Sequence, residues 1–307
     1  MHPAERSYRK IRSHLRPLRR GARDAAGAAL RRWVEFRWRR RRRGVYHLLP
    51  APLVVSLTSY PPRFATLAHT LKSLLMQSTR PDRIILWVAH ADAALLTDDV
   101  RALEREGLQI ETCEDHRSFK KILPALLSFP NAYVATADDD VYYPPDWLAN
   151  LVGGLTPHQK DIPALRVHRV TFDGAGAPLP YAEWRHDVPS GPSSPENFPT
   201  GVGGALYPPG CLHADVLDSQ LFRRLCPTSD DAWLYWMARK QGWCFRKVGP
   251  RRVFVSWPGA QDTALQHANL AGGNDVQIAN LVAHYGMVAG ASPEGSPVRR
   301  RAWAATW

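Results

Sequence analysis

Apolar and polar positions alternate in blocks between residues 50 and 140, and each block has a clear period. Leu53-Val54-Val55-Ser56-Leu57 is a short apolar run that predicts a buried strand. Pro61-Pro62 opens the next segment, where Leu67, Leu71, Leu74 and Leu75 form one helical face. Ile84 to Val88 predicts a second strand, and Leu108 to Cys113 a third. Between them, Thr97 is placed to cap a helix running to about Glu106, with Gly107 as its stop. A short helix is expected over Ile122 to Ser128. Tyr133-Val134-Ala135-Thr136-Ala137 predicts a fourth strand, which delivers Asp138-Asp139-Asp140 at its C-terminal end.

Strands alternating with helices at this spacing predict an α/β fold with a doubly wound, mostly parallel, Rossmann-like sheet flanked by helices. In such sheets ligands bind beyond the carboxyl ends of the strands, near the point where strand order reverses. Two segments fall at such ends, Thr58-Ser59-Tyr60 and Asp138 to Asp140. Residues 174–200 are rich in Gly, Pro and Ser and read as a long loop able to act as a lid. The expected organisation is a basic tail over 1–44, a first half over 50–150, a second half of the same domain over 151–290, and a C-terminal tail over 291–307.

Charge changes this picture at one end of the chain. The formal net charge is +12, but residues 1–44 hold 16 Lys and Arg against 3 Asp and Glu, while the remaining 263 hold 24 against 25. The basic character therefore belongs to the tail, and a nucleic-acid-binding surface on the body is not expected. Leu15, Leu18, Ala22, Ala25, Ala29, Trp33 and Phe36 recur at spacings of three and four among the tail arginines. Such a stripe fits an interfacial helix on an anionic membrane surface. Cys113, Cys211, Cys226 and Cys244 form no CxxC pair, so neither a zinc site nor a disulfide framework is expected. No run of 18 apolar residues and no signal-peptide pattern is seen, so the body is expected in the cytoplasm, peripheral at the membrane through its tail.

Three consecutive carboxylates at a strand end repel one another unless a cation or a proton relieves them. A hard divalent ion such as Mn²⁺ or Mg²⁺ takes oxygen ligands and often completes its shell with substrate phosphates. The triplet therefore predicts a cation bridge between carboxylates and a diphosphate leaving group.

Further along, Val54 to Arg63, Lys120-Lys121 before Ala125-Leu126, Ala137 to Pro144, Gly201 to Gly210 and Thr228 to Trp233 fall in an order that resembles the GT-A class of glycosyltransferases, and especially its family-2-like bacterial enzymes. The resemblance covers residues 50–250. It implies a nucleotide-sugar donor, a saccharide or glycolipid acceptor, and an acceptor-binding half that follows the nucleotide-binding half. Asp138 and Asp140 match the Asp-x-Asp positions, the first toward the ribose or the metal and the last on the metal. Asp139 and the Thr58, Ser59, Tyr60 loop are implied on the nucleotide side. There Arg63 could reach the diphosphate or the base edge through its planar fork, and Lys120 and Lys121 could counter phosphate charge. Gly203 and Gly204 are implied under the sugars, where glycine lets substrate approach the backbone. Asp230-Asp231 opens a helix running to about Gln241; one carboxylate caps it and the other is the general base, and the assignment favours Asp231 as base. Trp233 could present an aromatic wall to the acceptor, and His267 or His284 a third metal ligand.

Two other readings compete. Haloacid-dehalogenase-type phosphotransferases also use Asp-x-Asp with Mg²⁺, but after the first strand rather than the fourth. A non-enzymatic, basic-tailed membrane or nucleic-acid adaptor would explain the tail, but not the clustered acidic motifs in a near-neutral body.

Overall fold

A computed structural model describes residues 25–258 and 273–288. Five strands form the central sheet: β1 (Leu53–Thr58), β2 (Arg83–Ala89), β3 (Leu108–Cys113), β4 (Tyr133–Ala137) and a two-residue edge strand, β8 (Leu206–Tyr207). Their spatial order is β8-β4-β1-β2-β3. The pairs β1–β2, β1–β4 and β2–β3 are parallel and β8 is antiparallel to β4. The expected mostly parallel α/β sheet is thus observed. Its inner strands are continuous apolar runs because both faces are covered, whereas edge strand β3 is only partly buried.

On one face, Leu67, Leu71 and Leu74 of α2 (Phe64–Leu75) pack with Leu53, Val55 and Leu57. On the other, Ala125 of α4 (Leu123–Ser128) packs with Val54, Ile85, Trp87 and Val134. A third cluster surrounds α7 (Asp230–Lys240), whose residues from Ala232 to Arg239 are all buried. A helix buried all round shows no single apolar stripe, which is why its packing could not be read from periodicity. Outside the main sheet, β5 (Asp161–Ala164) pairs in parallel with β9 (Cys244–Lys247), and β6 (Val167–Arg169) pairs antiparallel with β7 (Asn197–Pro199).

Local expectations fare unevenly. The helix after Thr97 is α-helical only over Asp98–Arg101 and continues as a 3₁₀ turn to Glu106; Gly107 ends it at φ 102°, and the Thr97 hydroxyl makes no capping bond. The proposed loop over 174–200 contains a 3₁₀ turn, Tyr181–Glu183, and β7, so it is partly structured. Cys211, Cys226 and Cys244 are buried thiols, and burial pushes all three upward in pKa. No helix among the described residues is long and apolar enough to cross a membrane.

Candidate active site

The chain runs outward from β1 to β2 to β3 and then returns to the opposite side of β1 for β4. Strand order therefore reverses between β1 and β4, and the loops leaving their carboxyl ends diverge there. Those loops carry Thr58-Ser59-Tyr60 and Asp138-Asp139-Asp140, and both line one cleft of about 1300 Å³. Arg63, Lys120, Lys121, Asp230 and Asp231 line the same cleft. Residues 170 positions apart in sequence are thus brought to one site.

The acidic turn is tied down on three sides. Ser59 Oγ donates to Asp139 Oδ2 at 2.5 Å, and Arg63 Nη1 lies 3.4 Å from Asp139 Oδ1 and 2.6 Å from Asp140 Oδ2. Arg63 therefore serves the carboxylates as a counter-ion in this structure. The Asp138 backbone N–H donates to the Tyr143 hydroxyl at 2.7 Å. The Thr70 hydroxyl sits 2.9 Å from the Asp139 carbonyl and accepts from the Trp257 indole at 2.7 Å. Thr70 had no place in the sequence reading, and Tyr143 entered it only within the Ala137 to Pro144 motif, without a role of its own. The available signal was a hydroxyl at position 70 within the apolar face of α2.

Burial and mutual repulsion act on the carboxylates as expected for crowded anions. Asp139 is pushed up to about 7, first by burial and then by Asp140 and Asp138, against the pull of Arg63 and Ser59. Asp140 is also raised, by burial and then by Asp138, with Arg63 opposing. Among the described residues no three His, Cys, Asp or Glu side chains form a closed metal site. The donor set fits an open one: two carboxylates in a cleft, with the remaining ligands left to phosphate and water, is the usual arrangement for a small hard cation. His267 lies outside the described residues. His284 is exposed near the end of α8 (Asn274–Tyr285) and does not line the cleft.

Across the cleft, Lys121 joins the two acidic segments. Its Nζ is 2.9 Å from Asp138 Oδ1 and 2.7 Å from Asp230 Oδ2. These partners hold the ammonium well above its usual pKa despite burial. Lys120 instead contacts Asp115. Asp231 Oδ2 accepts the Gly201 backbone N–H at 2.9 Å. A methyl group on Gly201 would lie 2.6 Å from Lys121 Nζ, 2.9 Å from Asp231 Oδ1 and 3.4 Å from Asp138 Oδ1, so these groups converge on one bare stretch of backbone. Asp231 is pushed up to about 7, by burial first and then by Asp230, while Lys121 opposes.

Several expectations are corrected here. Trp233 is not an acceptor wall: it is fully buried in the third core cluster, and its indole donates to the Val216 carbonyl. Gly203 and Gly204 do not line the cleft; Gly201 and Val202 do. The Gly203 carbonyl accepts from Trp147, and Gly204, at φ 78°, packs against Trp147 and the Thr136 carbonyl. Their role is close packing under β4. Ser229, not Asp230, occupies the N-cap of α7. The cleft is completed by Arg166 and by Tyr181, His186 and Phe198 of the 174–200 segment, none of which the sequence singled out individually.

No protein-family model and no curated protein sequence matches this chain. Two solved structures of glucosyl-3-phosphoglycerate synthase from Mycobacterium tuberculosis are similar to it in part. One, with Mn²⁺, UDP and glucosyl-3-phosphoglycerate, is 13% identical over 78% of this chain and 81% of that one, at a TM-score of 0.43. The other, with Mn²⁺, UDP and phosphoglyceric acid, is 13% identical over 78% and 80%, at a TM-score of 0.41. A likeness this distant does not transfer what those proteins bind.

Proposed function

We propose that this protein is a metal-dependent glycosyltransferase that moves a sugar from a nucleotide-diphosphate sugar to a saccharide or lipid-linked acceptor. One observation carries the reading: the acidic turn after β4 faces the acidic start of α7 across a cleft at the strand-order reversal, with Lys121 between them. One carboxylate cluster is suited to the donor's diphosphate and the other to the acceptor's hydroxyl.

Thr58, Ser59 and Tyr60 form the loop that receives the nucleoside. Asp138 and Asp140 would hold Mn²⁺ or Mg²⁺, which supplies Lewis-acid neutralisation of the departing diphosphate. Asp231 is the general base. Its carboxylate takes the proton of the acceptor hydroxyl as that oxygen bonds to the anomeric carbon and the bond to the diphosphate breaks; the nucleoside diphosphate leaves with the bonding pair. Asp230, neutralised by Lys121, holds the start of α7 in place. An Asp231 carboxyl pushed up to about 7 suits this role, because a base works best with a pKa near the operating pH.

The test is a thermal-shift screen with UDP-, GDP- and CMP-sugars, each with and without Mn²⁺, followed by a released-nucleotide assay on any stabilising donor. At a ligand concentration ~100 times its Kd, binding adds about 2.7 kcal/mol to stability. Metal-dependent stabilisation by one donor class, with loss of that stabilisation in Asp138→Asn and Asp140→Asn, is expected. A chain that no sugar nucleotide stabilises in the presence of Mn²⁺ or Mg²⁺ is not this enzyme.

A further inference from the structure

The helix over residues 25–39, α1, presents its two sides very differently. Its inner side is anchored to the body. Val34 is fully buried against Trp257, with Leu30, Met76 and Tyr142 around them. Arg31 donates to the Pro258 carbonyl at 3.0 Å, and Glu35 pairs with Lys72 at 2.6 Å. Of the predicted apolar stripe, Leu15, Leu18 and Ala22 lie outside the described residues; Ala25, Ala29, Trp33 and Phe36 are on the other side and all exposed, with Trp33 at 48% and Phe36 at 44%. Arg32, Arg37, Arg39 and Arg40 are exposed beside them. The one acid between residues 25 and 43, Glu35, is turned toward Lys72, and among the described residues no ion pair joins a carboxylate to Arg32, Arg37, Arg39 or Arg40.

The geometry points to this face as a docking surface for an anionic lipid bilayer. The proposal goes beyond the catalytic reading and does not depend on it. An amphipathic helix with aromatic residues and arginines on its free side lies in the plane of the headgroups, rings toward the acyl boundary and guanidiniums among the phosphates. Here the helix is already held on its other side, so little ordering remains to oppose binding.

The arrangement of the rings favours lipid over nucleic acid. Trp33 and Phe36 stack on each other, centroids 5.9 Å apart at 21°. Arg37 lies over the Trp33 ring at 5.7 Å and Arg40 over the Phe36 ring at 4.4 Å. Base stacking needs an open ring face. These rings already stack on each other and carry guanidiniums, a packed apolar wedge fringed by positive charge.

The test is flotation of the full-length chain with vesicles of phosphatidylcholine alone and of phosphatidylcholine mixed with phosphatidylglycerol. Binding to the mixed vesicles only, weakened by salt, is expected. Each arginine near the surface contributes about fivefold, so Arg32→Gln with Arg39→Gln should weaken partition ~25-fold. Phe36→Ser should weaken it with the fold intact, since that ring contacts only Trp33 and Arg40 among the described aromatic and cation partners. Both variants should keep the melting temperature of the parent. The proposal is overturned if the parent ignores anionic vesicles, if both variants float as the parent does, or if a single-stranded RNA oligonucleotide displaces the parent from the vesicles and its binding is lost in both variants.

Discussion

Lys121→Met is the substitution whose consequence the structure specifies most fully. The ammonium lies 2.9 Å from Asp138 and 2.7 Å from Asp230, with its side chain 7% exposed. Methionine preserves the length and apolar volume of the stem but leaves the two carboxylates facing each other without a counter-ion. Removing one partner of a buried ion pair costs roughly 3–5 kcal/mol. Asp138 is 28% exposed and partly solvated, which places the expected loss at the lower end, about 3 kcal/mol. At ~1.5–2 °C per kcal/mol for a chain of 307 residues, the melting temperature should fall by about 5–6 °C. Lys121 has a raised pKa, so its contribution is complete below the ordinary lysine value of about 10.4 and is lost only as pH rises through the folded value. At pH 7 the whole effect is therefore present. Adding Asp230→Asn to Lys121→Met removes one of the two stranded charges and should recover ~1–2 kcal/mol, a coupling expected of residues in contact. Differential scanning fluorimetry in chelator, without nucleotide, reads all three chains. A Lys121→Met chain that melts with the parent, or a double variant no more stable than the single one, would refute the electrostatic account of the cleft.

The remaining predictions concern single side chains. Asp231→Asn should lower turnover by ~10²–10⁴-fold while nucleotide affinity is retained, and Asp230→Asn should lose less; steady-state kinetics beside calorimetric titration separates the two. Because the Asp231 carboxyl is raised to about 7, its base form prevails above that value, and parental turnover should climb with pH through about 7 and level off beyond it. A flat profile from pH 5 to 8 would remove Asp231 from the base role. Trp233→Ala should cost roughly 3–5 kcal/mol in urea unfolding, as for other large buried side chains, because the ring fills the core around α7. Gly204→Ala should destabilise by ~1–3 kcal/mol, since an L residue there is strained at φ 78° and its methyl group would lie 2.7 Å from Trp147.

The first half of the fold was legible because its signals are local. Buried parallel strands are uninterrupted apolar runs, and α2 shows one leucine face, so strand identity, the alternating order and the strand-end position of the three aspartates follow from residues 53 to 140 alone. The charge of the triplet also foretold crowding, and the raised Asp139 and Asp140 express it. The second half was less legible. Its helix α7 is buried on every side from Ala232 to Arg239, and its small strands pair with partners more than 25 residues away, so periodicity carries no information about what faces what. Trp233 was misread for this reason: an aromatic residue two positions from a site aspartate points wherever the helical turn sends it, and here that is the core.

Sequence alone determined the chemistry available to this protein: the four parallel strands of the first half, where the carboxylates gather, and that the positive charge is confined to one end. Only the tertiary structure decided which groups meet. Residues 121, 138, 201 and 230 share a cleft because strand order reverses beside β1, and the α1 stripe faces outward because Val34, on the opposite side of that helix, is the residue that fits against Trp257. Both outcomes depend on contacts between distant segments, and a linear pattern encodes periodicity within a segment but not its partner.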